Sequence, residues 1–494
     1  MTARTIMVQG TASSVGKSLL VTALCRIYAR RGLRVAPFKS QNMALNSAVT
    51  DDGAEIGRAQ HEQALAARMP PCADMNPILL KPETTSASQV VVLGRSLGSM
   101  SFRDYHHRKP EFREVVGAAL DRLRARCDLI VIEGAGSPAE VNLRDRDLVN
   151  MWVAERADAK VLLATDIERG GALAALVGTL ELLEPPQRAR VRALVVNKFR
   201  GDRSLFDGGV RFLEERCGVP VAGVIPHLGD TGIASEDSLD LRPLSGTGTR
   251  IAVVRLPRLS NFDEFEPLAR EPGVELVWCE RLEQLENCAL VVLPGTKCTA
   301  ADLAWLRRTG FAAAIARRAS SGGPILGICG GFQMLGERIL DPEGVESRDP
   351  DVPGLGLLPI LTRFRHAKTT TPVRLRLGEG IPLLERAGGI ELSGYEIHCG
   401  QVERVEEVQP FGWITGRSGP RSREPEGALS GCVAGTLVHG IFEDGGVRAA
   451  LLAALGAAAP AERIDPFDAL ADAVEGALDM ALVDRVAGLQ SGTP

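Results

Sequence analysis

Short apolar runs alternate with amphipathic stretches along the first half of this chain, and few folds accept that rhythm. The runs fall at residues 5–9, 34–38, 89–93, 129–133, 160–164, 191–197 and 219–225, with helical patterns at 18–31, 102–126, 172–183 and 206–216. Such unbroken apolar runs read as strands buried on both faces, and helices between them predict a mainly parallel, doubly wound α/β sheet. A linker rich in glycine and small polar residues is expected over 241–249. The rhythm then restarts, with strands at 251–256, 274–278, 290–293 and 324–328 and helices at 300–308 and 311–320. From about residue 354 it changes to short strand-and-turn segments of antiparallel type, ending at 436–438. Residues 466–489 form a last helical stretch, read as a packing helix whose acidic face is solvated. A chain of 494 residues is too long for one ordinary domain. The boundaries are expected at 1–245, 250–450 and 451–494.

Composition excludes several classes of function. Aromatic residues make up 4%, too few for base-stacking surfaces, and a formal charge of −5 offers no footprint for a polyanion. No apolar run is long enough to span a membrane, and Met1-Thr-Ala-Arg-Thr5 leads straight into a strand. A cytoplasmic chain is therefore expected, with neither nucleic-acid nor membrane partners. The ten cysteines contain no closely spaced pair, which argues against a zinc site or a disulfide framework. Most read as small buried hydrophobes.

Cys329 is the exception. In Pro324-Ile-Leu-Gly-Ile-Cys-Gly-Gly-Phe-Gln-Met-Leu-Gly336 an apolar run ends in a cysteine and glycines follow at once. This predicts a sharp strand-to-helix turn that presents the sulfur as a nucleophile. The same turn aims backbone N–H groups, that of Gly330 first, at the reacting carbonyl to stabilise its oxyanion.

A second chemistry is written directly after the first strand, in Gly10-Thr-Ala-Ser-Ser-Val-Gly-Lys-Ser18. Gly10, Thr11, Ser14 and Gly16 would cradle the phosphates of a nucleotide. Lys17 would reach the outer phosphates and the Ser18 hydroxyl would hold Mg²⁺. Five residues, rather than the usual four, separate Gly10 from Gly16. Two acidic segments suit the metal. Glu133 ends a buried strand in Leu129-Ile-Val-Ile-Glu-Gly-Ala-Gly136, where parallel sheets place functional residues. Asp52, in Asp51-Asp-Gly-Ala-Glu-Ile-Gly57, is a second candidate on a loop.

The longer phosphate loop resembles that of dethiobiotin synthetase and its relatives. Four further segments narrow the likeness: Pro37-Phe-Lys-Ser-Gln-Asn-Met43, Glu55-Ile-Gly-Arg-Ala-Gln60, Met75-Asn-Pro-Ile-Leu-Leu-Lys-Pro82 and Asn197-Lys-Phe-Arg-Gly-Asp202. With them the chain resembles the cobyric acid synthase family from about residue 5 to 452. That resemblance implies a dethiobiotin-synthetase-type ATPase domain, with Asn197 among the nucleotide-binding residues, followed by a class I glutamine amidotransferase domain. It also implies ATP-dependent amidation of the b, d, e and g carboxylates of adenosylcobyrinic acid a,c-diamide. Cobyrinic acid a,c-diamide synthase shares both modules and is the alternative; a partitioning-type switch ATPase is a third reading.

In triad-type amidotransferases, which the Cys329 turn resembles, a histidine accepts the thiol proton. His439, in Gly435-Thr-Leu-Val-His-Gly-Ile-Phe442, is expected in that role, and His398 reads as structural or interfacial. Such enzymes usually carry a glutamate two residues after the histidine, where this chain has Ile441. The orienting group is left open among Glu443, Asp444 and Glu396. Leu293-Pro-Gly-Thr-Lys297 resembles the loop beside the glutamine site, which implies that the Gly295 N–H completes the oxyanion hole.

Overall fold

The computed structural model describes residues 2–83, 86–233, 248–417, 423–457 and 465–489. They gather into two compact units, one of Met1–Ala44, Ile56–Ala234 and Arg463–Pro494, the other of Leu45–Glu55 and Ser235–Glu462. The boundaries drawn on sequence therefore need two corrections. An eleven-residue stretch near the start clusters with the second unit, and the C-terminal helices cluster with the first. The linker expected at 241–249 lies, up to residue 247, outside the described residues.

In the first unit six parallel strands run in the order Val221–Pro226, Val191–Phe199, Lys160–Asp166, Arg4–Gly10, Leu129–Glu133, Val35–Phe38. Alternate residues of one strand feed opposite cores, as a doubly wound sheet requires. Met7, Ile130 and Ile132 enter one apolar cluster, while Ile6, Val8, Leu129 and Val131 enter the other. Arg4–Gly10 sits at the centre, flanked by strands that come much later in the chain. The strand order changes direction there, and the crevice at its carboxyl end is where such sheets bind ligands.

Two expectations shift. The apolar run at 89–93 belongs to a separate four-stranded sheet of Gln41–Met43, Ile78–Pro82, Ala87–Val92 and Arg95–Ser101. Leu93 and Gly94 both take positive φ and close a hairpin onto Arg95–Ser101, so the run pairs locally rather than crossing over. The helix expected over 102–126 breaks at Arg108 into Phe102–His107 and Lys109–Arg126. Pro110 falls in the first turn of the second piece, where its missing N–H costs no hydrogen bond.

The C-terminal helices Pro466–Glu475 and Met480–Val486 bury Leu470, Val474, Val483 and Val486 in the same core as Val21, Leu24 and Tyr28 of helix Lys17–Arg30. Their acidic face is not simply solvated. Arg26 donates to Asp468 at 2.8 Å, Arg30 to Asp472 at 2.6 Å and Arg31 to Glu475 at 2.7 Å.

The second unit holds a six-stranded sheet in the order Val274–Cys279, Thr249–Val254, Leu290–Leu293, Ile325–Ile328, Val433–Thr436, Ala428–Ser430, parallel except for the last pair. The antiparallel part contains longer strands than the sequence suggests: Ile360–Leu377 pairs with Glu391–Arg404 along most of its length. An irregularity between Phe364 and Thr369 lets that ribbon bend without ending. Among the described residues no helix is long and apolar enough to cross a membrane.

Candidate active site

The phosphate loop of the first unit is built from turns that only certain residues accept. Ser14 and Gly16 take φ of 59° and 95°, which lets five intervening residues fold back over the strand end before helix Lys17–Arg30 begins. At Gly16 a Cβ would meet Asn197 Nδ2 at 2.2 Å, so glycine is required there. Asn197 Nδ2 in turn donates to Val15 O at 2.8 Å. Lys198 braces the loop from the same strand, donating to Ser14 O at 2.7 Å and to Asp166 at 3.0 Å. Thr11 Oγ1 lies 3.0 Å from Thr165 Oγ1. Lys17 folds across the loop to Ala12 O and Gly136 O, at 2.9 and 3.2 Å.

Ser18 and Glu133 come together. The Ser18 hydroxyl donates to Glu133 Oε1 at 2.9 Å, and Lys39 Nζ donates to the same oxygen at 2.9 Å. Gln63 Nε2 donates to Glu133 Oε2 at 2.6 Å. A carboxylate with 2% exposure persists only with such partners. Lys39 and Gln63 were not singled out on sequence. Lys39 had a legible signal, since it follows the carboxyl end of the buried strand Val35–Phe38. Asp52 is placed differently: it belongs to the stretch that clusters with the second unit, where its carboxylate accepts from Thr50 Oγ1. It is not among the groups around Glu133 within the first unit.

In the second unit the expected elbow is present. Strand Ile325–Ile328 ends at Cys329, which takes φ 50° and ψ −109° before helix Gly330–Leu335. This is a strained conformation for a non-glycine residue. It is held by Cys329 N donating to Thr436 O at 2.8 Å. The following glycines permit close approach: a Cβ on Gly330 would sit 2.7 Å from Thr296 Cγ2, and one on Gly331 only 2.0 Å from Leu293 O. Gly295 lies against the His439 ring, where a Cβ would meet Cε1 at 2.9 Å. Cys329, Gly330, Gly295 and His439 thus share one site.

The group that orients His439 is none of the three considered on sequence. Glu264 Oε1 lies 3.0 Å from His439 Nδ1, and Gly440 N donates to Glu264 Oε2 at 3.2 Å. Asp444 instead caps helix Gly445–Ala454, Glu396 holds Arg417, and Glu443 is exposed. A signal for Glu264 did exist: Asn261-Phe-Asp-Glu-Phe265 puts acidic residues inside an apolar segment, and all five are buried. Tyr395 stacks on the imidazole with centroids 5.2 Å apart. His398 turns its Nδ1 to Gly400 O at 2.7 Å. Burial alone would lower the His439 pKa, but the Glu264 carboxylate and Cys329, with a hydrogen bond from the ring to each, carry it up to about 10. A histidine held this way can keep the proton of the thiol and later deliver it to a leaving amine.

Comparison with known proteins bears on both halves. Residues 6–239 match the CobQ/CobB/MinD/ParA nucleotide binding domain, and residues 250–447 match the CobB/CobQ-like glutamine amidotransferase domain. The cobyric acid synthase of Sorangium cellulosum is 56% identical, the match covering 99% of each chain. That of Pelotomaculum thermopropionicum is 51% identical over 91% of this chain and 87% of its own. That of Roseiflexus castenholzii is 48% identical over 97% and 98%. With a nucleotide-binding loop in one unit and a Cys329–His439–Glu264 arrangement in the other, the chain belongs to the cobyric acid synthase family, the glutamine-dependent amide ligases of cobalamin biosynthesis.

Proposed function

We propose that this chain amidates the b, d, e and g side-chain carboxylates of adenosylcobyrinic acid a,c-diamide, using glutamine as the nitrogen source and ATP as the activator. The observation that carries the nitrogen half is His439 held between Glu264 and Cys329 with Gly295 against its ring. Cys329 Sγ bonds to the side-chain carbonyl carbon of glutamine while Gly295 N–H and Gly330 N–H stabilise the oxyanion. The C–N bond then breaks, and ammonia leaves with the proton that His439 returns. Water hydrolyses the thioester to glutamate and the free thiol.

In the synthetase half a corrinoid carboxylate oxygen attacks the γ-phosphorus of ATP and ADP departs. Ammonia then attacks the acyl phosphate, and phosphate leaves as the amide forms. The activation is chemically necessary, because a carboxylate oxygen is a poor leaving group until phosphorylated. Gly10, Thr11, Ser14, Gly16 and Asn197 shape the phosphate cradle, and Lys17 neutralises the outer phosphates. Ser18 and Glu133 supply hard oxygen donors 2.9 Å apart, which fits Mg²⁺. A bound Mg²⁺ would screen charge on the transferring phosphoryl group. Asp52, the other carboxylate proposed for the metal, is tested separately by Asp52→Asn through the Mg²⁺ dependence of amidation. The reaction is placed in the cytoplasm, which the ten free cysteines support.

The test supplies purified protein with ATP, Mg²⁺ and the corrinoid diamide, and follows product mass with glutamine or with free ammonia. Cys329→Ala is expected to lose amidation with glutamine and keep it with ammonia. Lys17→Ala should lose both. Equal loss with both nitrogen sources in Cys329→Ala would overturn the two-site reading.

A further inference from the structure

Asn261 approaches the catalytic imidazole from the side opposite Glu264. Its Nδ2 lies 3.5 Å from His439 Nε2, while Glu264 occupies Nδ1. The two residues frame one short turn, since Asn261 precedes the 3₁₀ stretch Phe262–Phe265 that carries Glu264. The orientation of the Asn261 amide is not free. Ser47 N donates to Asn261 Oδ1 at 3.3 Å, which turns the NH₂ group toward the ring. Asn261 itself takes φ 53°, a left-handed conformation that asparagine tolerates better than most residues. That backbone is held by Asn261 N donating to Asn46 Oδ1 at 2.8 Å.

We infer that Asn261 is a positioning residue for the glutaminase base, and that Asn46 and Ser47 set its position. A donor aimed at Nε2 favours that nitrogen as a proton acceptor. It therefore opposes the pull of Glu264 and Cys329 toward the imidazolium. The charged and titratable groups facing the ring are Glu264, Cys329 and His398, with the Tyr395 ring stacked on its face. Asn46 and Ser47 are fully buried, and their segment is anchored: Ser47 Oγ donates to Glu55 Oε1 at 2.9 Å, and Glu55 pairs with Lys368 on the long antiparallel strand. Both residues fall within the 6–239 match to the nucleotide-binding domain yet cluster with the glutaminase unit. The amidotransferase match at 250–447 consequently omits part of what holds its own base.

The inference rests on His439 being the base, so the experiment separates the two. Glutamate release and ammonia-dependent amidation are measured for the full chain and for His439→Ala, Asn261→Asp, Asn46→Leu and Asn46→Asp. Asn261→Asp tolerates the same backbone but puts a charged acceptor at Nε2. It is expected to raise the alkaline limb of kcat/KM for glutamine hydrolysis by about one pH unit. Asn46→Leu should lower that kcat/KM roughly tenfold through misplacement of the turn. Asn46→Asp retains an acceptor oxygen and should recover most of the loss. Ammonia-dependent amidation should hold in all four variants. Glutaminase activity surviving in His439→Ala would sink the base assignment itself. If His439→Ala is inactive, three results each overturn the inference alone: an unmoved limb in Asn261→Asp, equal activities in Asn46→Leu and Asn46→Asp, or a parallel fall in ammonia-dependent amidation.

Discussion

At the scale of single residues, the decisive contact is the one between His439 and Glu264, whose side chains are each 1% exposed. A buried imidazole would ordinarily be neutral, and the carboxylate reverses that. The His439 pKa is carried to about 10, above the roughly 6.5 of an unfolded chain. The contribution of this pair to stability is therefore complete below about pH 6.5 and is lost as pH rises through about 10. Glu264→Gln removes the charge while keeping the shape. It should bring the alkaline limb of glutamine hydrolysis down by at least about one unit, and cut kcat by about 10²-fold or more. A pH–rate profile checks the first expectation. Thermal unfolding between pH 7 and 10 checks the stability sign: the wild type should lose more than the variant across that interval.

Elements decide how the loops are aimed. The nine residues from Gly10 to Ser18 announce a phosphate loop by composition, and the extra residue finds its explanation in two left-handed positions, Ser14 and Gly16. Gly16→Ala combines a positive φ with a Cβ 2.2 Å from Asn197 Nδ2. It should lower amidation by about 10²-fold or more with glutamine and ammonia alike. The Cys329 elbow is similarly constrained, because Gly331 packs directly on Leu293 O. Gly331→Ala is expected to abolish glutamine-dependent amidation but spare the ammonia-dependent reaction, which product mass distinguishes. Both loops were legible because glycine spacing after an apolar run reports local backbone geometry. The acid that pairs with His439 was not, since 175 residues separate Glu264 from His439. No periodicity links positions that far apart.

For the whole molecule, the chain order and the unit order diverge. The C-terminal helices return to the first unit, where Leu470 is 3% exposed within the core beneath helix Lys17–Arg30. Leu470→Ala should destabilise that unit by about 2–5 kcal/mol, measured by denaturant unfolding, because a cavity replaces a core side chain. That stretch reads in sequence as a packing helix, which its buried face bears out, with a solvated acidic face, because acidic residues ordinarily face water. Sequence could not show the arginines of Lys17–Arg30 waiting opposite, more than 400 residues earlier in the chain.

Sequence by itself determined the two parallel sheets, the phosphate loop, Glu133 at a strand end and the Cys329 turn. Each of these follows from local rules: strand burial, glycine conformations and the carboxyl ends of parallel strands. Tertiary structure alone decided that Glu264 orients His439, that Lys39 and Gln63 hold Glu133, and that Leu45–Glu55 clusters with the glutaminase unit. Those contacts join segments distant in the chain. Their energy comes from pairing buried charges and amides with whatever partner packing delivers, and no local pattern encodes that partner.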